Sequence, residues 1–255
     1  MALRRRTLAI AALGLLGALS SCGGAARRGE RGPRSAPMAA AAQPAAVLVG
    51  RIQAAYAGVD HLRAGFHQEV TNATFGSTRT SDGVVTLARP ARMRWDHHRG
   101  GVGRALVVSR SVITDGDPLY VIDHAAQRVV VRAAADDVTA VLVGFFLARG
   151  ALAADFVAEL DVSGAFAAGD AVVVALTPKV ANPRYRRLYL LVDPATALVR
   201  ESIVLDDAGD TERVRFDAPD RGGPIDDHWF AFDPATVPGY EVIDVREPAP
   251  TSPPP

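Results

Sequence analysis

One cysteine, Cys22, stands in 255 residues. No disulfide can close within the chain, and the fold must rest on its core. Neither sign of charge is in excess, since 28 Lys and Arg balance 28 Asp and Glu. That balance argues against a basic footprint for nucleic acid or for an anionic membrane surface. Aromatics are only 6% of the chain, so the few large rings carry more weight in locating the core. Motifs of chemistry are also missing. There is no G-x-S-x-G elbow and no P-loop. His97-His98 lie side by side, and neighbours on a strand point to opposite faces, so they share a metal ion poorly. No clustered Cys/His/Glu spacing backs them. Asp115-Gly116-Asp117 starts like a calcium loop but lacks the later ligands, and a turn is the better reading. Asp226-Asp227-His228 has no partner nucleophile. The expectation is a protein that is not an enzyme and takes no cofactor or metal.

The N-terminus carries a targeting pattern. Arg4-Arg5-Arg6 is a positive segment, and the apolar run Leu8 to Leu19 is too short to span a bilayer comfortably. Leu19-Ser20-Ser21-Cys22 resembles a bacterial lipobox, whose cysteine is lipidated and becomes the mature N-terminus. An ordinary secretory signal with a chance cysteine is the alternative. Gly23 stands where an inner-membrane retention signal would have aspartate, which permits an outer-membrane destination. Residues 23–46 lack apolar periodicity and read as a disordered linker. The Pro-rich tail, 247–255, reads likewise. One folded domain over 47–246 remains.

That domain opens with a helix, Val47 to Asp60, in which Leu48, Ile52, Ala55 and Val59 recur at helical spacing. Strands follow. Leu62, Ala64, Phe66, Gln68 and Val70 share one face. Asn72 to Asp82 reads as a polar turn region, then Gly83 to Leu87 as a strand, and a further short strand carries Met93 and Trp95. Between these two lies Arg89-Pro90. Proline marks a strand end or edge, and an arginine beside an apolar interior must find acceptors because an unpaired buried charge is costly. A solvated arginine at a strand end is the alternative. Short segments joined by turns at Asp115-Gly116, His124-Ala125-Ala126 and Asp206-Asp207-Ala208-Gly209 predict an antiparallel meander, a sandwich or barrel rather than βαβ units.

The pattern changes near Asp136-Asp137, either of which can cap a helix. Val138, Val141, Leu142, Phe145 and Phe146 then form one apolar helix face, with Arg149 and Gly150 at its end. Such a helix either covers a concave sheet or plugs it as core. Strands resume over 156–162, 172–176, 188–192, 198–205 and 212–216. Asp226-Asp227-His228 reads as a turn before a last strand that carries Phe230 and Phe232 on one aromatic face.

In order and spacing these pieces resemble the LolA family of periplasmic lipoprotein carriers, over roughly Val47 to Val245. The resemblance runs through Phe66-His67-Gln68, then Gly83-x-Val85-x-Leu87-x-Arg89-Pro90 with Met93 and Trp95, then Asp115-Gly116-x-x-Leu119-Tyr120. It continues through Leu176-Thr177-Pro178-Lys179, Asp207-Ala208-Gly209 and Ile225-x-x-x-x-Phe230-x-Phe232-x-Pro234. It implies a mainly β (α+β) fold: an incomplete, strongly curved antiparallel β-barrel with amphipathic lid helices over an apolar cavity. It implies Arg89 as the latch that holds the lid by hydrogen bonds to helix backbone. Leu48, Ile52, Val59, Phe66, Leu87, Met93, Trp95, Val138, Val141, Leu142, Phe145, Phe146, Phe230 and Phe232 would line cavity and lid.

The partners it implies are acylated lipoproteins, an inner-membrane lipoprotein-releasing transporter and an outer-membrane acceptor, for a monomer in the periplasm of a Gram-negative-type bacterium. Cys22 would add the chain's own lipid anchor. An anchored N-terminus is more like the LolB type of acceptor, while the motifs are more like the carrier. A general envelope lipid-binding lipoprotein, or a structural lipoprotein with a filled sheet, are the readings from other classes.

Overall fold

Strand β1 (His61–Asn72) turns Leu62, Ala64, Phe66 and Gln68 to a buried face and leaves the residues between them more open. That is the period of two a half-buried strand requires. The structure, a computed structural model, describes residues 36–100, 105–134, 137–147, 152–166, 169–217 and 219–246. The strands after β1 are β2 (Ser77–Ala88), β3 (Arg92–Arg99), β4 (Val107–Thr114), β5 (Leu119–Asp123) and β6 (Arg128–Arg132). After the short helices come β7 (Phe156–Leu160), β8 (Val172–Pro178), β9 (Arg187–Val192), β10 (Val199–Leu205), β11 (Thr211–Phe216) and β12 (Glu241–Asp244). All twelve join one open, curved sheet in the order β12-β6-β5-β4-β3-β2-β1-β11-β10-β9-β8-β7. The expected meander is present, folded as a single sheet. It is antiparallel throughout except for β12, which adds to β6 in parallel. Gly76 (φ +61°) and Gly209 (φ +89°) close the β1–β2 and β10–β11 hairpins in the left-handed region that glycine enters without strain.

The described residues also form four α-helices: α1 (Ala36–Tyr56), α2 (Val138–Leu142), α3 (Gly144–Leu147) and α4 (Leu152–Asp155). They supply Leu48, Ile52, Tyr56, Leu142, Phe145, Phe146 and Leu152 to one buried cluster with the inner-face residues of the sheet, among them Phe66, Leu87, Met93, Trp95, Leu176, Leu190 and Val214. The helices therefore lie on one face of the sheet. Two smaller clusters cover the opposite face, one on β8–β10 and one on β4–β6.

Several boundaries differ from the expectation. The first helix starts at Ala36, not Val47, and ends at Tyr56, so residues 36–46 are helix rather than linker. Alanine is the strongest helix former, and the stretch is alanine-rich although it lacks an apolar stripe. Val59 thus lies beyond α1, half-buried against the core. Strand β2 begins at Ser77 inside the stretch read as a turn, which shrinks to residues 73–76. There the ladder with β1 and a Thr71–Thr78 hydroxyl contact (3.0 Å) order polar residues without burying them.

The single apolar helix is two short ones. Val143 leaves helical geometry (φ −109°, ψ 7°) just before Gly144, and glycine weakens a helix interior. Residues 227–230 form a 3-10 turn rather than a strand. Asp226 caps it by accepting from His228 N (2.9 Å), and Asp233 caps the next turn through Ala235 N (2.9 Å). Such aspartates offer the backbone an alternative to a ladder. Cys22 and the rest of the expected targeting segment, the tail 247–255, Asp136, Arg149 and Gly150 lie outside the described residues.

Candidate functional site

Arg89 follows the last residue of β2 at the rim of the apolar face, where the chain turns with Pro90 into β3. Its side chain enters the protein, and the residue is only 8% exposed. Nη2 donates to Tyr56 O at the C-terminus of α1 (3.0 Å) and to Phe146 O in α3 (2.9 Å). Carbonyls at a helix end have no partner within their helix, and a guanidinium gives them charge-assisted bonds. The guanidinium carbon also lies 5.1 Å from the Phe146 ring centroid. Its own backbone N donates to Asp60 O (3.0 Å), fixing the strand end to the segment after α1. One side chain thereby ties two helices, distant in sequence, to the sheet.

Beneath the helices the inner face is filled by rings. Tyr56 lies 5.2 Å from Phe145, Phe145 5.8 Å from Phe216, Phe216 6.4 Å from Trp95, and Trp95 4.7 Å from Phe66. Tyr56 also anchors itself: its hydroxyl accepts from Val199 N (3.1 Å), and burial raises its pKa above the ordinary value of 10. Phe66, Trp95 and Phe145, expected to line an apolar cavity, thus join one series of ring contacts between helices and sheet. A separate groove of about 510 Å³ runs along the flank of α1, bordered by Pro44, Val47, Leu48, Arg51, Leu160 and Val172.

Of the residues singled out from sequence, Leu48, Ile52, Phe66, Leu87, Met93, Trp95, Leu142, Phe145 and Phe146 meet in the one buried cluster. Val59, Val138 and Val141 pack at its margin. Phe230 and Phe232 do not join it. Phe230 is buried under the Arg92 guanidinium (5.4 Å), and Phe232 packs on the opposite face of the sheet, 5.2 Å from Tyr120. The 3-10 turn that ends at Phe230 breaks the alternation that would have kept them together. Trp229, half-exposed, is flanked by Arg94 (4.6 Å) and Arg63 (5.8 Å).

A polar row on the inner face was not among the sequence candidates. Gln68 Nε2 donates to Glu212 Oε1 (2.5 Å), and Ser81 Oγ donates to Gln68 Oε1 (3.0 Å). The Ser81 hydroxyl also meets His97 Nδ1 (3.1 Å). Since the hydroxyl proton is used on Gln68, Nδ1 is the donor in that contact. Burial, aided by Arg110, pushes His97 down to about 4, so the ring is neutral at neutral pH. Burial and the charge of Asp137 push Glu212 up to about 7, against the Gln68 bond. Asp137 caps α2, its Oδ1 accepting from Thr139 N (2.8 Å), and lies 3.3 Å from the Arg132 guanidinium. The signal for this row was parity: Gln68 follows Leu62, Ala64 and Phe66, and Glu212 precedes Val214 and Phe216. Among the described residues no group of three His, Cys, Asp or Glu side chains is placed to hold a metal ion.

A sequence model of the family described as "Outer membrane lipoprotein carrier protein LolA" matches residues 57–233. An outer-membrane lipoprotein carrier protein of Alkalilimnicola ehrlichii is 26% identical over 191 residues, covering 74% of this chain and 80% of its own. Among solved structures, a LolA superfamily protein from Nitrosomonas europaea aligns with TM-score 0.41 and 10% identity, covering 74% of this chain and 97% of its own. A DUF1329 family protein from Desulfovibrio piger aligns with TM-score 0.47 and 12% identity, covering 77% and 99%.

Proposed function

The chain belongs to the LolA family of outer membrane lipoprotein carrier proteins, and we propose that it takes acyl chains of lipoproteins onto the inner face of its sheet and carries them through the periplasm toward the outer membrane. The observation that carries this reading is the Arg89 clasp. It joins α1 and α3 to the sheet over an apolar surface by two hydrogen bonds. In this reading helices and rings fill the site at rest and swing aside when a chain enters. A buried methylene contributes about 0.8 kcal/mol, so one acyl chain outweighs a few lid bonds, each about 1 kcal/mol and up to about 3 when charged. The same bonds favour the closed, empty state and so help the carrier let go. No covalent step is needed. An inner-membrane releasing transporter would load the protein and an outer-membrane acceptor would unload it.

A second reading rests on the lipobox-like Leu19-Ser20-Ser21-Cys22: a lipid-anchored acceptor at the outer membrane. One experiment separates the two. The full chain with Cys22→Ala is added to inner membranes that hold newly made lipoproteins, with their releasing machinery energised. Soluble complexes of this protein with lipoprotein support the carrier. Binding only of lipoprotein handed over by another carrier supports the acceptor. Neither result would reject both.

A further inference from the structure

Along three adjacent strands the inner face turns from apolar to polar in one direction. On β1 it reads Leu62, Ala64, Phe66, Gln68; on β2, Leu87, Val85, Gly83, Ser81; on β3, Met93, Trp95, His97. The register keeps these series in step: Leu62 stands opposite Leu87 and Leu87 opposite Met93, while Gln68 stands opposite Ser81 and Gly83 opposite His97. The apolar end is the Arg89 end. The polar end lies about 20 Å away at the usual rise per residue. Glu212, on the next strand, extends the polar row through Gln68. This surface is graded as an amphiphile is graded.

Most polar atoms of the row partner one another. Trp95 does not. It is 0% exposed, sits where the apolar series gives way to the polar one, and its indole Nε1–H has no acceptor among the described residues. A buried indole N–H ordinarily finds one, and leaving it unmet is costly. Around it stand Phe66 (4.7 Å), Phe216 (6.4 Å) and the His97 ring (6.4 Å). Phe145 of α3 packs on Phe216 at 5.8 Å, so in this reading lifting that helix opens the region from that side.

We propose that the Trp95 indole N–H donates to the carbonyl of an acyl ester or amide, so that the hydrocarbon lies toward Leu62, Leu87 and Met93 and the polar linkage faces His97 and Gln68. This rests on the acyl-binding reading above and adds an orientation and a chemical preference to it. A carbonyl is an acceptor that carries no charge, which suits a buried lone donor. A free carboxylate would add a second anion to the row that holds Glu212, whose charge Arg110 offsets only from an exposed position.

The test uses the full chain, a monoacylglycerol ester and the matching alkylglycerol ether, which has the same chain length but no carbonyl. Trp95 and Trp229 are the two tryptophans, so the 15N indole spectrum has two signals, and Trp229→Phe identifies them. The expected result is a downfield shift of the Trp95 N–H with the ester and not with the ether. With it comes an ester preference of about fivefold, the worth of one ordinary hydrogen bond, which Trp95→Phe abolishes. Equal shifts with ester and ether, or a preference that survives Trp95→Phe, would overturn the proposal while leaving acyl binding intact. Failure of both probes to bind the wild-type chain would overturn acyl binding and this proposal with it. Should Trp95→Phe not fold, the indole shifts of the wild-type protein decide.

Discussion

Arg89 and Phe146 meet twice: the guanidinium donates to the Phe146 carbonyl oxygen at 2.9 Å and stands 5.1 Å from the centre of its ring. The same Nη2 reaches Tyr56 O, so the residue holds α1 and α3 together.

Replacing Arg89 with Leu removes both bonds and leaves two carbonyls facing an apolar side chain. The closed form should lose about 2–4 kcal/mol, from charge-assisted bonds of about 1.5–3 kcal/mol each that are not fully additive. Amide exchange within 138–147 and at the end of α1 should accelerate while the sheet stays protected. In transfer assays the variant should load readily and hand cargo on poorly. A normal transfer rate would show that Arg89 is no latch.

Glu212 and His97 set opposing pH dependences. Burial raises Glu212 from 4.5 to about 7, so the folded state binds its proton more tightly, and stability falls as pH rises from about 4.5 to 7. Burial lowers His97 from 6.5 to about 4, so the folded state resists protonation, and stability falls as pH drops from about 6.5 to 4. In wild type the two slopes nearly cancel between pH 4.5 and 6.5. Glu212→Gln should expose a rise in stability from pH 4 to 6.5, and His97→Gln a fall from pH 4.5 to 7, each at most about 3 kcal/mol. Urea midpoints across this range check both signs.

Asp137 links that titration to α2. Asp137→Ala removes the α2 cap, at about 1 kcal/mol, and takes away the negative charge that helps raise Glu212. The Glu212 midpoint should therefore move down, read by carboxyl NMR, and amides at the start of α2 should exchange faster.

Gly83 faces Phe66 so closely that a Cβ would stand 2.7 Å from its ring and 2.0 Å from the Asp96 carbonyl oxygen. Gly83→Ala must move backbone as well as a ring, with an expected loss of about 1–3 kcal/mol. A lowered denaturation midpoint with altered near-UV dichroism from the Trp95 environment checks it.

The strands were legible because alternation reports directly on one-sided burial: Leu62, Ala64 and Phe66 mark β1, and the runs at 172–176 and 188–192 fall inside β8 and β9. At Arg89 the setting, a permanent charge fixed by Pro90 next to an apolar run, left a solvated arginine open, and its helix-backbone acceptors came only with the family resemblance. The helices were read less well. Alanines 39–42 form helix on propensity without an apolar stripe, and the Val143 break depends on backbone geometry that periodicity does not report. Phe232 was misplaced because a local cap by Asp226 outweighed alternation. The Gln68–Glu212 pairing joins residues 144 positions apart, and only the register of β1 with β11 brings them together.

Both acceptors of the Arg89 clasp are carbonyl oxygens of the main chain. Any amino acid at positions 56 and 146 supplies one, so side chains there can change without deleting the acceptor. In the proposed carrier, descendants of this chain can thus remodel the inner surface of α1 and α3 for a differently shaped cargo while keeping the clasp. Fastening and selectivity are open to evolve on separate schedules, the first dependent on one arginine and the second spread over many residues.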